Sequence, residues 1–327
     1  MDKILLLGMG PTSLSALESL AAQFSVVGLV RETSLPSAGD DEVVARARAL
    51  EVPVFADVSP AGVEQAITET LPDCAVTSSY NRILRTSLLD RCRFVNVHYA
   101  PLPEYRGRAN VNWAIINQEA AAAITIHVMA PGLDAGSILY QQRVPIGPDD
   151  TVEDLYATLN EIQREFLGKT VARYIRGYEG EPQDESAATY GCGRVPADGE
   201  IVWSDSTARI YALVRALAPP YPPAYTYLEG RQISIIRAAP VEQAPKYAGR
   251  IPGRVVSRSR RNGYVDVLTG DGVLRIHKMT ADDHAGAPAA QFVESTRQTL
   301  GMRTADLLAR IEDLEARLKQ LAGPGPR

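Results

Sequence analysis

Asn96 and His98 stand two residues apart in Phe94-Val95-Asn96-Val97-His98, a run that is otherwise apolar. Residues two apart on a strand share a face, so an amide and an imidazole converge on one spot. The amide can donate to a developing oxyanion, and the imidazole can move a proton near neutral pH. Taken alone, His98 is better explained as a strand-end histidine satisfied by backbone. Pro101, Pro103 and Arg106-Gly107-Arg108 then make a long, rigid, polar loop, the kind of segment in which binding residues concentrate. Leu133-Asp134-Ala135-Gly136 brings a carboxylate in a glycine-flanked loop after the next strand-like run. Beside His98 that carboxylate would raise the imidazole pKa and orient the ring. A helix N-cap is the other reading of Asp134.

These residues need a scaffold, and the surrounding pattern supplies one. Lys3–Leu7 is apolar on both faces and reads as a parallel strand, followed by a turn at Gly8-Met9-Gly10 and a helix over Ser13–Ala22. Strands at Ser25–Val30, Val52–Ala56, Cys74–Ser78 and Phe94–His98 alternate with helices at Asp40–Leu50 and Pro60–Glu69. This alternation predicts a doubly wound, mostly parallel α/β sheet, in which ligands sit beyond the carboxyl ends of the strands. Ile124–Met129 is a further strand, and Asp150-Thr151 caps a long helix over Val152–Tyr174. His127, inside that strand, reads as structural. The polar stretch Arg176–Ala188 reads as a linker. Beyond it, a short helix over Thr207–Leu217 and strands from Tyr225 to Lys278, separated by glycine turns, predict a small OB-like β-barrel. The expected domains are thus 1–188, 189–285 and a helical tail, 286–327. In that tail Leu307, Ile311, Leu314, Leu318 and Leu321 alternate in spacings of four and three, the seam of a short coiled coil. A homodimer through 304–321 and a helix folded back on its own domain are both open, and Gly323-Pro324-Gly325-Pro326 ends the helix.

Bulk properties exclude several classes. The chain has 327 residues, 34 basic and 39 acidic side chains and a net charge of −5, so no general nucleic-acid coat is expected. Cys74, Cys92 and Cys192 are odd in number and form no C-x-x-C pair, which argues against a disulfide framework or a cysteine zinc site. His277 and His284 have no ligand spacing, so no metal is expected. The glycine turn lacks a third glycine at Ser13, and the second strand ends in Val30-Arg31 rather than an acid, which argues against NAD. The N-terminal apolar run is too short for a signal peptide, and no stretch is long enough to span a bilayer. A cytoplasmic protein is expected.

Asn-x-His at 96–98, Leu-Pro-x-Tyr-Arg-Gly-Arg-Ala at 102–109 and Leu-Asp-Ala-Gly at 133–136 together resemble the 10-formyltetrahydrofolate-dependent formyltransferase family. The resemblance runs over roughly Lys3–Lys278 and includes Gly193-Arg194-Val195-Pro196 and Val214-Arg215-Ala216-Leu217. It implies that Asn96 and protonated His98 stabilise the oxyanion as an amine attacks the formyl carbon. Asp134 then helps to take the amine proton and keeps His98 charged. It also implies 10-formyltetrahydrofolate as cosubstrate, lying against Tyr80, Ile83, Leu84, Pro131, Gly132 and Leu133. Tyr99, Arg106, Arg108 and Asn110 are the expected acceptor contacts. The chain departs from the family pattern at Ala100-Pro101, Glu104 and Asn110, all in the loop.

Among acceptors, the amine of an amino-sugar nucleotide fits best, because guanidinium groups grip diphosphates. Methionyl-tRNA is disfavoured by the short, acid-containing Arg31–Asp41 connection. A siderophore or antibiotic amine such as hydroxyornithine is a third acceptor. A 10-formyltetrahydrofolate hydrolase, with water in place of the amine, would keep the same three residues.

Overall fold

The computed structural model describes residues 1–33, 40–219, 221–281 and 286–321. His284, the Gly323-Pro324-Gly325-Pro326 end and most of the Arg31–Asp41 connection lie outside the described residues. The chain divides into two compact units, one of Met1–Ala114 with Glu119–Arg194, the other of Val195–Arg327 with Ile115–Gln118.

The first unit is built on β1 (Lys3–Leu7), α1 (Ser13–Ala21), β2 (Ser25–Val30), α2 (Asp40–Ala49), β3 (Val54–Phe55), α3 (Pro60–Thr70), β4 (Cys74–Ser78), α4 (Thr86–Leu89) and β5 (Arg93–His98). After β6 (Arg106–Gly107) and α5 (Asn110–Ile116) come β7 (Ala121–Val128), β8 (Ile138–Pro145), α6 (Val152–Ile175) and β9 (Tyr190–Gly191). Seven strands form one sheet in the order β3-β2-β1-β4-β5-β7-β8. The first five run parallel, whereas β7 and β8 are antiparallel to their neighbours. The doubly wound sheet read from the sequence is present, with an antiparallel edge. The strand β8 was not foreseen: Ile-Leu-Tyr-Gln-Gln-Arg-Val-Pro mixes polar and apolar residues with no clean alternation.

Local chemistry explains the elements. β4 is buried along its whole length, as a central parallel strand must be. Thr151 opens α6 with a capping box, its side chain accepting from Asp154 N while Asp154 accepts from Thr151 N. The helix turns Leu155, Leu159, Leu167 and Val171 inward. Gln163, fully buried among them, donates to Thr12 O at 2.9 Å and Ser15 Oγ at 2.8 Å, so a polar group in the core is satisfied.

The segment 176–188 is no linker. Ile138 and Glu181 exchange backbone bonds, and β9 pairs with β6, so the segment lies back across the site loops of its own unit. Gln183 and Glu185 bond to those loops, while most of the segment's other residues stay exposed.

The second unit carries α7 (Thr207–Ala216) and a six-stranded antiparallel half-barrel of β10 (Tyr225–Leu228), β11 (Arg231–Pro240), β12 (Val255–Arg258), β13 (Val265–Leu268), β14 (Val273–Thr280) and β15 (Ala287–Pro288). Its core includes Trp203, Ile210, Ile235, Val265, Leu274 and Leu300. The residues from 286 to 300, expected in the tail, instead belong to this unit: β15 pairs with β14, α8 (Ala289–Phe292) packs beside it, and Leu300 is buried. Among the described α-helices of this unit, only α9 (Thr304–Leu321) buries no residue.

Candidate active site

The period of the strand does what the sequence suggested. Asn96 and His98 lie on one face of β5, and the antiparallel register sets Asn96 opposite His127 and His98 opposite Thr125 of β7. Asp134 arrives from the loop between β7 and β8. Its Oδ2 lies 3.6 Å from His98 Nδ1, and its Oδ1 accepts from Asn96 Nδ2 at 3.4 Å. Amide, imidazole and carboxylate therefore share one place.

The loop that delivers Asp134 is held from several sides. Gly107 N donates to Asp134 Oδ2 at 2.9 Å. Gln183 Nε2 donates to the Asp134 and Gly136 carbonyls, both at 2.7 Å. A Cβ on Gly136 would lie 1.8 Å from Val128 O, so only glycine lets the chain turn back so closely to its own strand. Asp134 itself sits at φ 49°, and Ser79, Tyr105 and Ala109 are likewise left-handed. Such conformations persist in non-glycine residues only where the surroundings hold them, and they gather at functional sites. Asp134 caps no helix.

Hydrogen-bond chemistry orients each ring. His98 Nε2 lies 2.8 Å from Tyr105 O; a carbonyl only accepts, so Nε2 carries a proton and Nδ1 is left facing Asp134. Asn110 Nδ2, 3.0 Å from the same Nε2, is the donor that meets the ring when that proton leaves. Protonated, His98 has an acceptor for both N–H groups, Tyr105 O and Asp134.

His127 is the residue that sequence reasoning set aside. Its Nδ1 donates to Val128 O at 2.9 Å, which makes Nε2 an acceptor, and Asn96 Nδ2 donates to it at 3.0 Å. Thr77 Oγ1 donates to Asn96 Oδ1 at 2.6 Å. These two bonds fix which way the Asn96 amide points. One Nδ2 hydrogen is held by His127 and the second is directed at the site. Burial first, and the neighbouring His98 second, lower the His127 pKa from its ordinary 6.5 to about 4, so the ring stays neutral. The only signal in the sequence was that His127 shares a strand with alternating apolar residues; the register opposite Asn96 could not be read from it.

Three expected acceptor contacts are placed otherwise. Arg106 is 2% exposed, and its guanidinium donates to Glu185 Oε1 at 2.6 Å, Glu185 Oε2 at 2.8 Å and Gln183 Oε1 at 2.8 Å. It braces the 176–188 strap and cannot reach an anion in solvent. Tyr99, just past the end of β5, donates to Asn160 Oδ1 at 2.7 Å and Gln163 Oε1 at 3.1 Å, both on α6. Asn110 is buried beneath His98. Arg108, by contrast, is exposed, with one nitrogen donating to Asn81 O at 2.5 Å.

The expected folate contacts form two groups. Tyr80 and Leu84 pack partly into the core around Val58 and Phe94, and the Tyr80 hydroxyl donates to Val58 O at 2.7 Å. Ile83 is 90% and Leu133 57% exposed, and Pro131 and Gly132 are also open to solvent. Among the described residues no cluster of His, Cys, Asp or Glu has the arrangement of a metal site, and no helix is long and apolar enough to cross a membrane.

Comparison with known proteins places this geometry. Residues 44–171 match the family described as formyl transferase, and residues 195–297 match its C-terminal domain. The chain is 29% identical over 289 residues to a methionyl-tRNA formyltransferase from Geobacter sulfurreducens, covering 85% of this chain and 88% of the relative. Among solved structures, HypX from Aquifex aeolicus superposes with a TM-score of 0.64 at 21% identity over 90% of this chain, which spans only 49% of that larger protein. An N-formyltransferase from Helicobacter canadensis, solved with folinic acid and dTDP-3-aminofucose, gives a TM-score of 0.64 at 19% identity, covering 84% of this chain and 98% of that one. At these identities the structural likeness is one of fold.

Proposed function

We propose a specific reaction for this chain, which belongs to the formyl transferase family: transfer of the formyl group of 10-formyltetrahydrofolate to a primary amine. The observation that carries the reading is the convergence of Asn96, His98 and Asp134 from two strand ends, held by Gly107, His127 and Gln183. In the proposed step the amine lone pair attacks the formyl carbon, and the carbonyl electrons move to oxygen. The Asn96 Nδ2 hydrogen that faces Asp134 Oδ1 turns to that oxyanion, and the positive charge of a protonated His98 stabilises it. Collapse breaks the bond from carbon to folate nitrogen, and that nitrogen leaves carrying the proton that the attacking amine gives up. Asp134, beside His98, receives the proton of the attacking amine directly or through water and balances the imidazolium charge. The folate would lie on the rim formed by Tyr80, Ile83, Leu84 and Pro131–Leu133.

For the acceptor we infer the amine of a phosphorylated small molecule, an amino-sugar nucleotide. Arg108 is an exposed guanidinium on the loop after the catalytic strand, suited to a phosphate. The net charge of −5 disfavours a polyanion as large as tRNA. The resemblance to a methionyl-tRNA formyltransferase is the specific observation on the other side.

The test is to incubate the protein with 10-formyltetrahydrofolate and three acceptor sets: amino-sugar nucleotides, charged initiator tRNA, and free pathway amines including hydroxyornithine. Mass spectrometry should find one added carbonyl on an amino-sugar nucleotide. Formylated tRNA would replace the acceptor and leave the reaction standing. Formate release that no amine accelerates would identify a hydrolase and overturn the transferase reading.

A further inference from the structure

The helix α9 is anomalous among the elements of its unit. Every residue from Thr304 to Leu321 except Asp306 is exposed, and Leu307, Ile311, Leu314, Leu318 and Leu321 are 45%, 51%, 48%, 65% and 84% exposed. A helix of this length is marginal in water unless an apolar stripe is buried against something. The spacing says what geometry would bury it. Residues 307, 311, 314, 318 and 321 fall at alternating steps of four and three, so Leu307, Leu314 and Leu321 occupy d positions and Ile311 and Leu318 occupy a positions. A β-branched residue at a with leucine at d favours two strands.

The charges flanking that seam choose the partner and its direction. In this register Arg310 and Arg317 fall at g, and Leu308 and Glu315 at e. In a parallel pair each g residue meets the e residue five positions on in the other chain, which sets Arg310 against Glu315. In an antiparallel pair g faces g, which sets Arg310 against Arg317. The first arrangement gives two attractions by symmetry; the second gives repulsions. Arg317 is meanwhile occupied along its own helix, 3.0 Å from Asp313.

We propose that α9 pairs with α9 of a second copy of this chain as a parallel two-stranded coiled coil, with Arg310 set against Glu315 of the partner subunit. Same-chain complementarity makes a second copy sufficient to cover the stripe, and the proposal stands independently of the reaction above.

Sedimentation equilibrium of the full chain over a range of concentrations should show a reversible dimer. Ile311→Lys, a charge in the seam, should leave a monomer. Arg310→Glu should weaken the dimer about tenfold, since it turns two attractions into repulsions. Arg310→Glu combined with Glu315→Arg should return the dimer to within about twofold of the original. The charge variants lie on the surface of an exposed helix, so they remain interpretable if Ile311→Lys frays it. For direction, Leu307→Cys should form an interchain disulfide on mild oxidation, because parallel strands bring the two copies of residue 307 together. A chain that is monomeric at every concentration, as a fold-back helix would be, overturns the proposal. So does a dimer that survives Ile311→Lys, a double charge swap that fails to restore pairing, or a Leu307→Cys variant that does not cross-link.

Discussion

The wall and the rim of the candidate active site are made by different physics. The wall is β5 and β7, where Asn96, His98 and His127 are partly or wholly buried and hydrogen-bonded to one another or to backbone. The rim is Ile83, Arg108 and Pro131–Leu133, all exposed. Groups whose geometry must be right to a fraction of an ångström stand on strands; groups that meet a variable ligand stand on loops. On the proposed reading, damage to the wall should lower turnover, and damage to the rim should alter binding.

The largest effects should come from the wall. His98→Ala removes the imidazole facing Asp134 and should cut kcat by about 10³-fold or more, with folate affinity retained. Steady-state kinetics beside a folate titration separates the two, and a parallel loss of folate binding would erase the distinction between wall and rim.

Gly136→Ala strikes the wall through its support. The added methyl would sit on Val128 O, and relieving that contact should cost about 3 kcal/mol in denaturant unfolding while moving Asp134 away from His98. Stability and kcat should fall together. A variant as stable as the parent would mean that this turn is looser than the hairpin implies.

His127→Leu sharpens the comparison further, because His127, within the wall, acts through Asn96. Loss of the acceptor for Asn96 Nδ2 should lower kcat about tenfold with KM for folate unchanged. It should also leave a mark in pH. The folded chain keeps His127 neutral to about pH 4, whereas the unfolded chain takes up a proton below about 6.5. Stability from this group is therefore whole above the higher value and is lost as pH falls between the two. The variant should lack that component of the acid limb, measurable by denaturant titration at several pH values.

The smallest expected effect is at the rim. Arg108→Ala should raise KM for a phosphorylated acceptor about tenfold with kcat and folate KM little changed. An unchanged acceptor KM would remove the proposed phosphate contact.

The same division explains what the sequence disclosed. Period two on β5 sufficed to put Asn96 and His98 together, and apolar runs marked β1, β2 and β4 because buried parallel strands have no polar face. What escaped depended on residues distant in sequence returning in space. Arg106 looked like a ligand contact because nothing local shows that Gln183 and Glu185 fold back onto it. The polar 176–188 segment looked like a linker for the same reason. His127 escaped because an antiparallel register, not a motif, sets it opposite Asn96. Tyr99 was misplaced because its hydroxyl partners, Asn160 and Gln163, stand on a helix distant in sequence.

The central claim is that Asp134, Asn96 and His98 act as one unit on the formyl carbon. The most direct measurement is single-turnover formyl transfer by the wild type and by Asp134→Asn, each saturated with 10-formyltetrahydrofolate and run alongside a folate-binding titration. The account predicts that Asp134→Asn binds the folate as the wild type does and transfers its formyl group at least about 10²-fold more slowly. Transfer at the wild-type rate by Asp134→Asn would contradict it.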